Sequence, residues 1–252
     1  MNDQPVALIT GANQGIGLEI ARQLAEHGLT VLVGSRNFEK GEAAARSING
    51  DAHAIQLDVT DPASISAAAE RIRSEFGRLD VLVQNAAISH TGDLTSGTVE
   101  EHAKLTRASN ISLDEMRAIW ETNVFGVLMV YQALLPLLRE APAARIVNVS
   151  SGVGSLTRTL DPNYTRRSTF GPGYAASKTA LNALTVAMAI ELEDTPIKVN
   201  AVSPGFTKTY LNNFTGTETV EEGAVQAVRM ALIGSDGPTG TFTHATLGTL
   251  PW

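Results

Sequence analysis

Tyr174 and Lys178, in the run Tyr174-Ala175-Ala176-Ser177-Lys178, are spaced to move a proton together. On a helix, residues four apart share a face, so both side chains can enter one site. A free phenol, with a pKa of about 10, transfers protons poorly at neutral pH. An ammonium about 4 Å away, at an effective dielectric of about 20, contributes about 4 kcal/mol, which is about three pKa units. A perturbation of that size brings a phenol toward neutrality, where general acid–base catalysis is efficient. The same spacing arises by chance on helix surfaces, so its surroundings decide. Ser151 closes Asn148-Val149-Ser150-Ser151, at the end of a strand-like run. A hydroxyl there can hydrogen-bond a carbonyl oxygen as it becomes an alkoxide; its plain alternative is capping a loop.

A second constellation handles phosphate. Thr10-Gly11-Ala12-Asn13-Gln14-Gly15-Ile16-Gly17 joins the apolar run Val6–Ile9 to a helical pattern from Gly15 to His27. Glycines let backbone N–H groups approach a pyrophosphate, and the helix N-terminus adds about half a positive charge. A tight turn needing glycine for packing alone is the competing reading. After the second strand comes Gly34-Ser35-Arg36-Asn37, with no carboxylate until Glu39. An acidic residue there would bind a ribose 2′-hydroxyl, whereas arginine accommodates a 2′-phosphate. Arg36 can offer two N–H donors, and Ser35 and Asn37 neutral hydrogen bonds. The reading is NADP(H), with NAD(H) as the second option.

The elements that must position these residues alternate. Strands are expected at Val6–Ile9, Thr30–Val33, Ala54–Leu57, Leu79–Val83, Arg145–Val149 and Lys198–Val202. Helices are expected at Gly15–His27, Glu39–Ile48, Asp61 to Phe76, Leu113–Arg139 with Pro136 near its end, Pro172–Glu193 and Val220–Leu232. Strands apolar throughout, each followed by a helix, imply a parallel sheet covered on both faces. Right-handed crossovers make it doubly wound. One domain over 1–252 is expected, with substrate-side loops at about 88–112, 152–173 and 206–219. Ligands of such sheets bind beyond the strand carboxyl ends, which is where Ser151 falls.

Taken together, the glycine turn, Asp58-Val59, Asn85-Ala86-Ala87, Asn123, Ser151, Tyr174, Lys178 and Pro204-Gly205 occur in order and resemble the short-chain dehydrogenase/reductase family. The resemblance runs from Ala7 to about Thr241, and the carboxy-terminal run is similar to the carbonyl-reductase branch. It implies a Rossmann-type α/β domain with Tyr174 as acid or base. It also implies that Lys178 binds the nicotinamide ribose while lowering the phenol's pKa, that Ser151 orients the substrate oxygen, and that Asn123 holds a helix kink and a water. Asp58 and Val59 would contact adenine, and Asn85, Ala86 and Ala87 would line the cofactor channel. Pro204, Gly205, Phe206, Thr207 and Thr209 would meet the carboxamide end. As plain alternatives, Asn123 is a helix residue and Asp58 caps a turn. Three departures stand out: Ala87 where the family commonly has glycine, Gln14 where NADP-preferring members carry a basic residue, and 23 positions between Ser151 and Tyr174. The last exceeds the common family interval and leaves a homo-oligomer open.

Composition narrows the partners. The 252 residues carry 19 Lys+Arg against 26 Asp+Glu, a net charge of −7, and no cysteine. An acidic chain is poorly suited to nucleic acid or anionic membranes, and thiolate chemistry is excluded. The five histidines show no HxxxH spacing, so no metal site is expected. No apolar run approaches the roughly 18 residues of a membrane span, and the amino terminus lacks a signal-peptide pattern; a cytoplasmic location is expected. Phe170, Phe206, Tyr210, Leu211 and Phe214 are candidate apolar walls for a small carbonyl or alcohol substrate. Arg158, Arg166 and Arg167 would receive an acidic one, a solvated basic loop being their alternative. The leading reading is an NADPH-dependent carbonyl reductase. Its alternatives are an alcohol dehydrogenase working in the oxidising direction, a non-catalytic dinucleotide sensor, and a methyltransferase with a related sheet.

Overall fold

Strands buried on both faces build the sheet. The computed structural model describes residues 4–92 and 104–252. In chain order the strands are β1 (Val6–Ile9), β2 (Thr30–Ser35), β3 (Ala52–Gln56), β4 (Val81–Gln84), β5 (Arg145–Val149), β6 (Lys198–Ser203), β7 (Phe242–His244) and β8 (Gly248–Thr249). Their spatial order is β3-β2-β1-β4-β5-β6-β7-β8. All neighbours are parallel except β8, which turns back antiparallel on β7. The chain winds outward from β1 to β3, then crosses to β4 on the other side of β1. Leu8 therefore pairs with both Leu32 and Leu82. The connections that leave the carboxyl ends of β1 and β4 run in opposite directions, making the crevice in which such sheets bind ligands.

Helices cover both faces. On one lie α1 (Gly15–Glu26), α2 (Phe38–Arg46) and α8 (Val220–Ala231), with Ile20, Leu24 and Ala227 in the core. On the other lie α3 (Pro62–Glu75), α5 (Gly126–Glu140) and α7 (Tyr174–Glu191), with Ile72, Leu134 and Leu181 in the core. The capping aspartate and first-turn proline of α3 are in place, Asp61 accepting from the Ala63 N–H.

Three expectations need correction. The helix expected over Leu113–Arg139 is α4 (Leu113–Trp120) and α5, joined by a π-helical turn at Glu121–Phe125. The joined run Leu113–Glu140 also reaches the length and mean hydropathy of a membrane span, although its apolar residues Val130, Leu134 and Leu138 lie in the core. The helix expected from Pro172 starts at Tyr174. Finally, β7 and β8 had no counterpart in the sequence reading. Of the loops, 88–112 lies partly outside the described residues. The segment 152–173 holds a 3-10 turn at Gly152–Gly154, α6 (Leu156–Leu160) and a second 3-10 turn at Arg167–Thr169. The segment 206–219 holds a 3-10 turn at Tyr210–Asn212.

Candidate active site

The link from β1 to α1 leaves backbone groups bare. Gly11 and Gly15 have φ of +62° and +58°, a region that side chains disfavour. A Cβ on Gly11 would sit 2.9 Å from the Ala86 Cα, and one on Gly17 2.7 Å from the Gly11 carbonyl oxygen. Asn85 staples the turn to β4: its Nδ2 donates to the carbonyls of Thr10 and Gly11 at 3.0 and 3.1 Å. The Thr10 hydroxyl accepts from the N–H groups of Asn85 and Ala86, both at 3.0 Å. Helix α1 is entered from Gln14 with no side-chain cap and no acid in its first turn. Its leading N–H groups are thus left for an anion. Ala87 takes the family's glycine position without a positive φ.

A cleft of 670 Å³ starts at this turn, walled by Gly11, Asn13, Gln14, Gly15, Ile16 and Gly17. Arg36 lines it beyond β2, exposed, and makes no ion pair or hydrogen bond among the described residues. Asp58 and Val59 follow from β3, then Asn85, Ala86 and Ala87 from β4. Tyr174, Lys178, Pro204 and Thr209 stand at the cleft too. The bare glycine turn, the uncapped helix and the unpaired arginine fit a dinucleotide.

Tyr174 opens α7, and Lys178 follows one turn later on the same side. The Lys178 Nζ donates to the Val149 carbonyl at 2.8 Å and lies 5.7 Å from the centre of the Tyr174 ring. The Ser151 hydroxyl stands near enough to the phenol to act on its ionisation. The expected charge balance needs correction. Burial pushes the Tyr174 phenol up to about 12, with the Ser151 hydroxyl acting the other way. Burial also pulls Lys178, 2% exposed, down to about 7. In the protein alone, desolvation outweighs any help the ammonium gives the phenol.

Asn123 sits fully buried in the π turn. Its side chain accepts from the Ile88 N–H and donates to the Ile88 carbonyl, both at 2.9 Å, and donates to the Ser177 hydroxyl at 3.0 Å. It thereby joins the loop after β4 to α7. Other expected ligands serve the chain itself. Ser35 is buried, its hydroxyl donating to the Asn37 carbonyl, and the Asn37 side chain caps α2. Thr207 is buried, with its hydroxyl on the Pro204 carbonyl. Asp58 caps the turn at Thr60 through Oδ1 while also lining the cleft. Neither Ser35, Asn37, Gly205, Phe206 nor Thr207 lines the cleft, and nor does Phe170. Tyr210, Leu211 and Phe214 do. Sequence reading missed His90, a cleft residue whose buried Nδ1 has no partner among the described residues; an isolated histidine in a loop carries no spacing signal.

The short chain dehydrogenase family model matches residues 5–219. The chain belongs to the short-chain dehydrogenase family. The Penicillium roqueforti protein named short-chain dehydrogenase anuI is 37% identical over 241 residues, covering 92% of this chain and 90% of that one. The structure of salutaridine reductase from Papaver somniferum has a TM-score of 0.80 at 31% identity, covering 95% of this chain and 99% of that one. A 3-ketoacyl-(acyl-carrier-protein) reductase from Brucella melitensis complexed with NADH has a TM-score of 0.78 at 27% identity, with 96% of each chain covered. As a short-chain dehydrogenase, the protein is an NAD(P)-dependent oxidoreductase of the CH–OH/C=O couple. Its fold is the Rossmann fold of its structural neighbours.

Proposed function

We propose that the protein is an NADPH-dependent carbonyl reductase acting on a small ketone or aldehyde, with Tyr174 as the proton donor. The observation that carries this is that the Tyr174 phenol and the Lys178 ammonium both line the cleft that begins at the glycine turn, with Ser151 near enough to the phenol to act on its ionisation. When bound, the reduced nicotinamide supplies hydride. Ser151 orients the carbonyl oxygen, and Tyr174 delivers its proton to that oxygen as negative charge grows there. A phenol with a pKa of about 12 keeps its proton at neutral pH, which is the state a donor needs. Lys178 would meet the nicotinamide ribose, and Asn123 holds the first turn of α7 through Ser177, whose hydroxyl donates to the Tyr174 carbonyl at 2.7 Å. Asp58 and Val59, which line the cleft, would meet adenine, and Arg36 would meet the 2′-phosphate.

The test is NADPH oxidation over a ketone panel. Tyr174→Phe should lower kcat by about 10²–10⁴-fold, the usual worth of a general acid, while NADPH binding, followed by fluorescence, persists. A variant that turns over as fast as the wild type would remove Tyr174 from the chemistry.

A further inference from the structure

The insertion between Ser151 and Tyr174 brings one cation beside the residue after Ser151 and a second beside Phe206, both outside the lining of the dinucleotide cleft. Arg158, on α6, and Arg166, before the second 3-10 turn, are both half-buried. The Arg158 guanidinium lies 4.7 Å from the centre of the Tyr164 ring. That of Arg166 lies 3.3 Å from the centre of the Phe206 ring, next to Pro204-Gly205. A Cβ on Gly152 would sit 2.9 Å from the Arg158 Nη1 and 3.5 Å from the Tyr164 hydroxyl. The Arg158 guanidinium and the Tyr164 hydroxyl therefore occupy the space over Gly152, the residue that follows Ser151.

Neither guanidinium has a hydrogen bond or an ion pair among the described residues. Glu218 is the carboxylate that Arg166 feels, but it lies against Gly205, where a Cβ would overlap it. His244, buried at the end of β7, adds no charge. Its Nδ1 accepts from the N–H groups of Thr246 and Leu247 at 3.2 and 3.3 Å, an arrangement that suits the neutral ring. Glu218 thus acts on Arg166, and neither guanidinium is ion-paired among the described residues of a chain whose net charge is −7. Desolvated cations without partners are costly. Stacking on an aromatic face leaves the edge of a guanidinium fork open to a carboxylate.

We propose that the substrate is an oxo acid, its carbonyl at Ser151 and Tyr174 and its carboxylate, a few bonds away, on Arg158 and Arg166. This rests on the reductase reading. The probes are benzoylformate and benzoylpropionate, each compared with its methyl ester under NADPH. Wild type should favour the acid in kcat/KM by about tenfold or more, the worth of one charge-assisted pair. In Arg158→Gln and in Arg166→Gln that ratio should fall by about tenfold, mostly through KM. NADPH binding reports whether each variant is folded, and Arg158→Lys replaces a variant that is not. Esters used as well as acids by the wild type, or a ratio that survives both substitutions, overturn the oxo-acid assignment and leave the reductase standing. If neither acid nor ester is reduced, the reductase reading fails separately. Calorimetric titration of the NADP-loaded protein then decides: an acid bound at least about tenfold more tightly than its ester supports the arginine site, and equal affinities overturn it.

Discussion

Burial acts on Tyr174 and Lys178 in opposite directions, the phenol up to about 12 and the ammonium down to about 7. Each shift fixes a pH window of stability. Between about 7 and the ordinary lysine value of 10.5, unfolding takes up a proton at Lys178, so its contribution to stability rises with pH. Below about 7 its burial penalty stands in full. Tyr174 does the reverse: from the ordinary 10 to about 12 the folded state keeps a proton that the unfolded chain loses, and stability falls. Denaturant unfolding of the cofactor-free wild type and Lys178→Met should show the wild type gaining on the variant as pH rises from 7 to 10.5. At about 1.4 kcal/mol per pKa unit, the gain has a ceiling of roughly 5 kcal/mol. A constant difference would mean that Lys178 titrates at its ordinary value. The spacing of Tyr174 and Lys178 was legible in the sequence; the sign of their shifts was not, because desolvation depends on what packs around α7. Ser35, Asn37 and Thr207 show the same limit: their types suit ligand binding, and only the fold reveals that neighbouring backbone takes their hydroxyls or, for Asn37, its side-chain oxygen.

At the scale of elements, the π turn between α4 and α5 is the piece that apolar periodicity could not foretell. Its core residue, Asn123, makes three hydrogen bonds to partners 35 and 54 positions away, so tertiary contacts rather than local pattern set the irregularity. Asn123→Ala would leave the Ile88 N–H and carbonyl without that partner in a partly buried place. A loss of about 1–3 kcal/mol follows if one such group stays unsatisfied. Turnover should fall alongside, because Ser177 loses a bond at the start of α7. Asn123→Asp keeps an acceptor for the Ile88 N–H but buries a carboxylate against the Ile88 carbonyl, and should be no more stable than the alanine variant at neutral pH in denaturant unfolding. An alanine variant as stable and active as the wild type would reduce Asn123 to an ordinary helix residue. The long strands and capped helices were readable because they are apolar throughout or begin with a capping residue such as Asp61. Strands β7 and β8, three and two residues long in a stretch rich in threonine and glycine, are too short for any period to register. Their pairing depends on β6 offering an edge.

At the scale of the whole molecule, the cleft joins two halves of the sheet. One wall comes from the β1–α1 turn and the end of β2, the other from the segments after β4 and β6 and from α7. A dinucleotide spanning both should stabilise the native protein by RT ln(1 + [L]/Kd), about 2.7 kcal/mol at 100 Kd. Cofactor preference is therefore readable from thermal unfolding without any substrate. Arg36 is exposed at the cleft with no partner among the described residues, and Gln14 brings no second cation to the glycine turn, so the NADPH reading predicts that Arg36 discriminates between the two cofactors. At equal concentration NADPH should raise Tm more than NADH does. Arg36→Asp should invert the order, since a carboxylate repels the 2′-phosphate and accepts from a 2′-hydroxyl. Surface exposure of Arg36 keeps the variant's unliganded Tm near that of the wild type, so the comparison isolates the cofactor. Equal shifts in the wild type, or an unchanged NADPH advantage in Arg36→Asp, would place the 2′-phosphate elsewhere on the cleft.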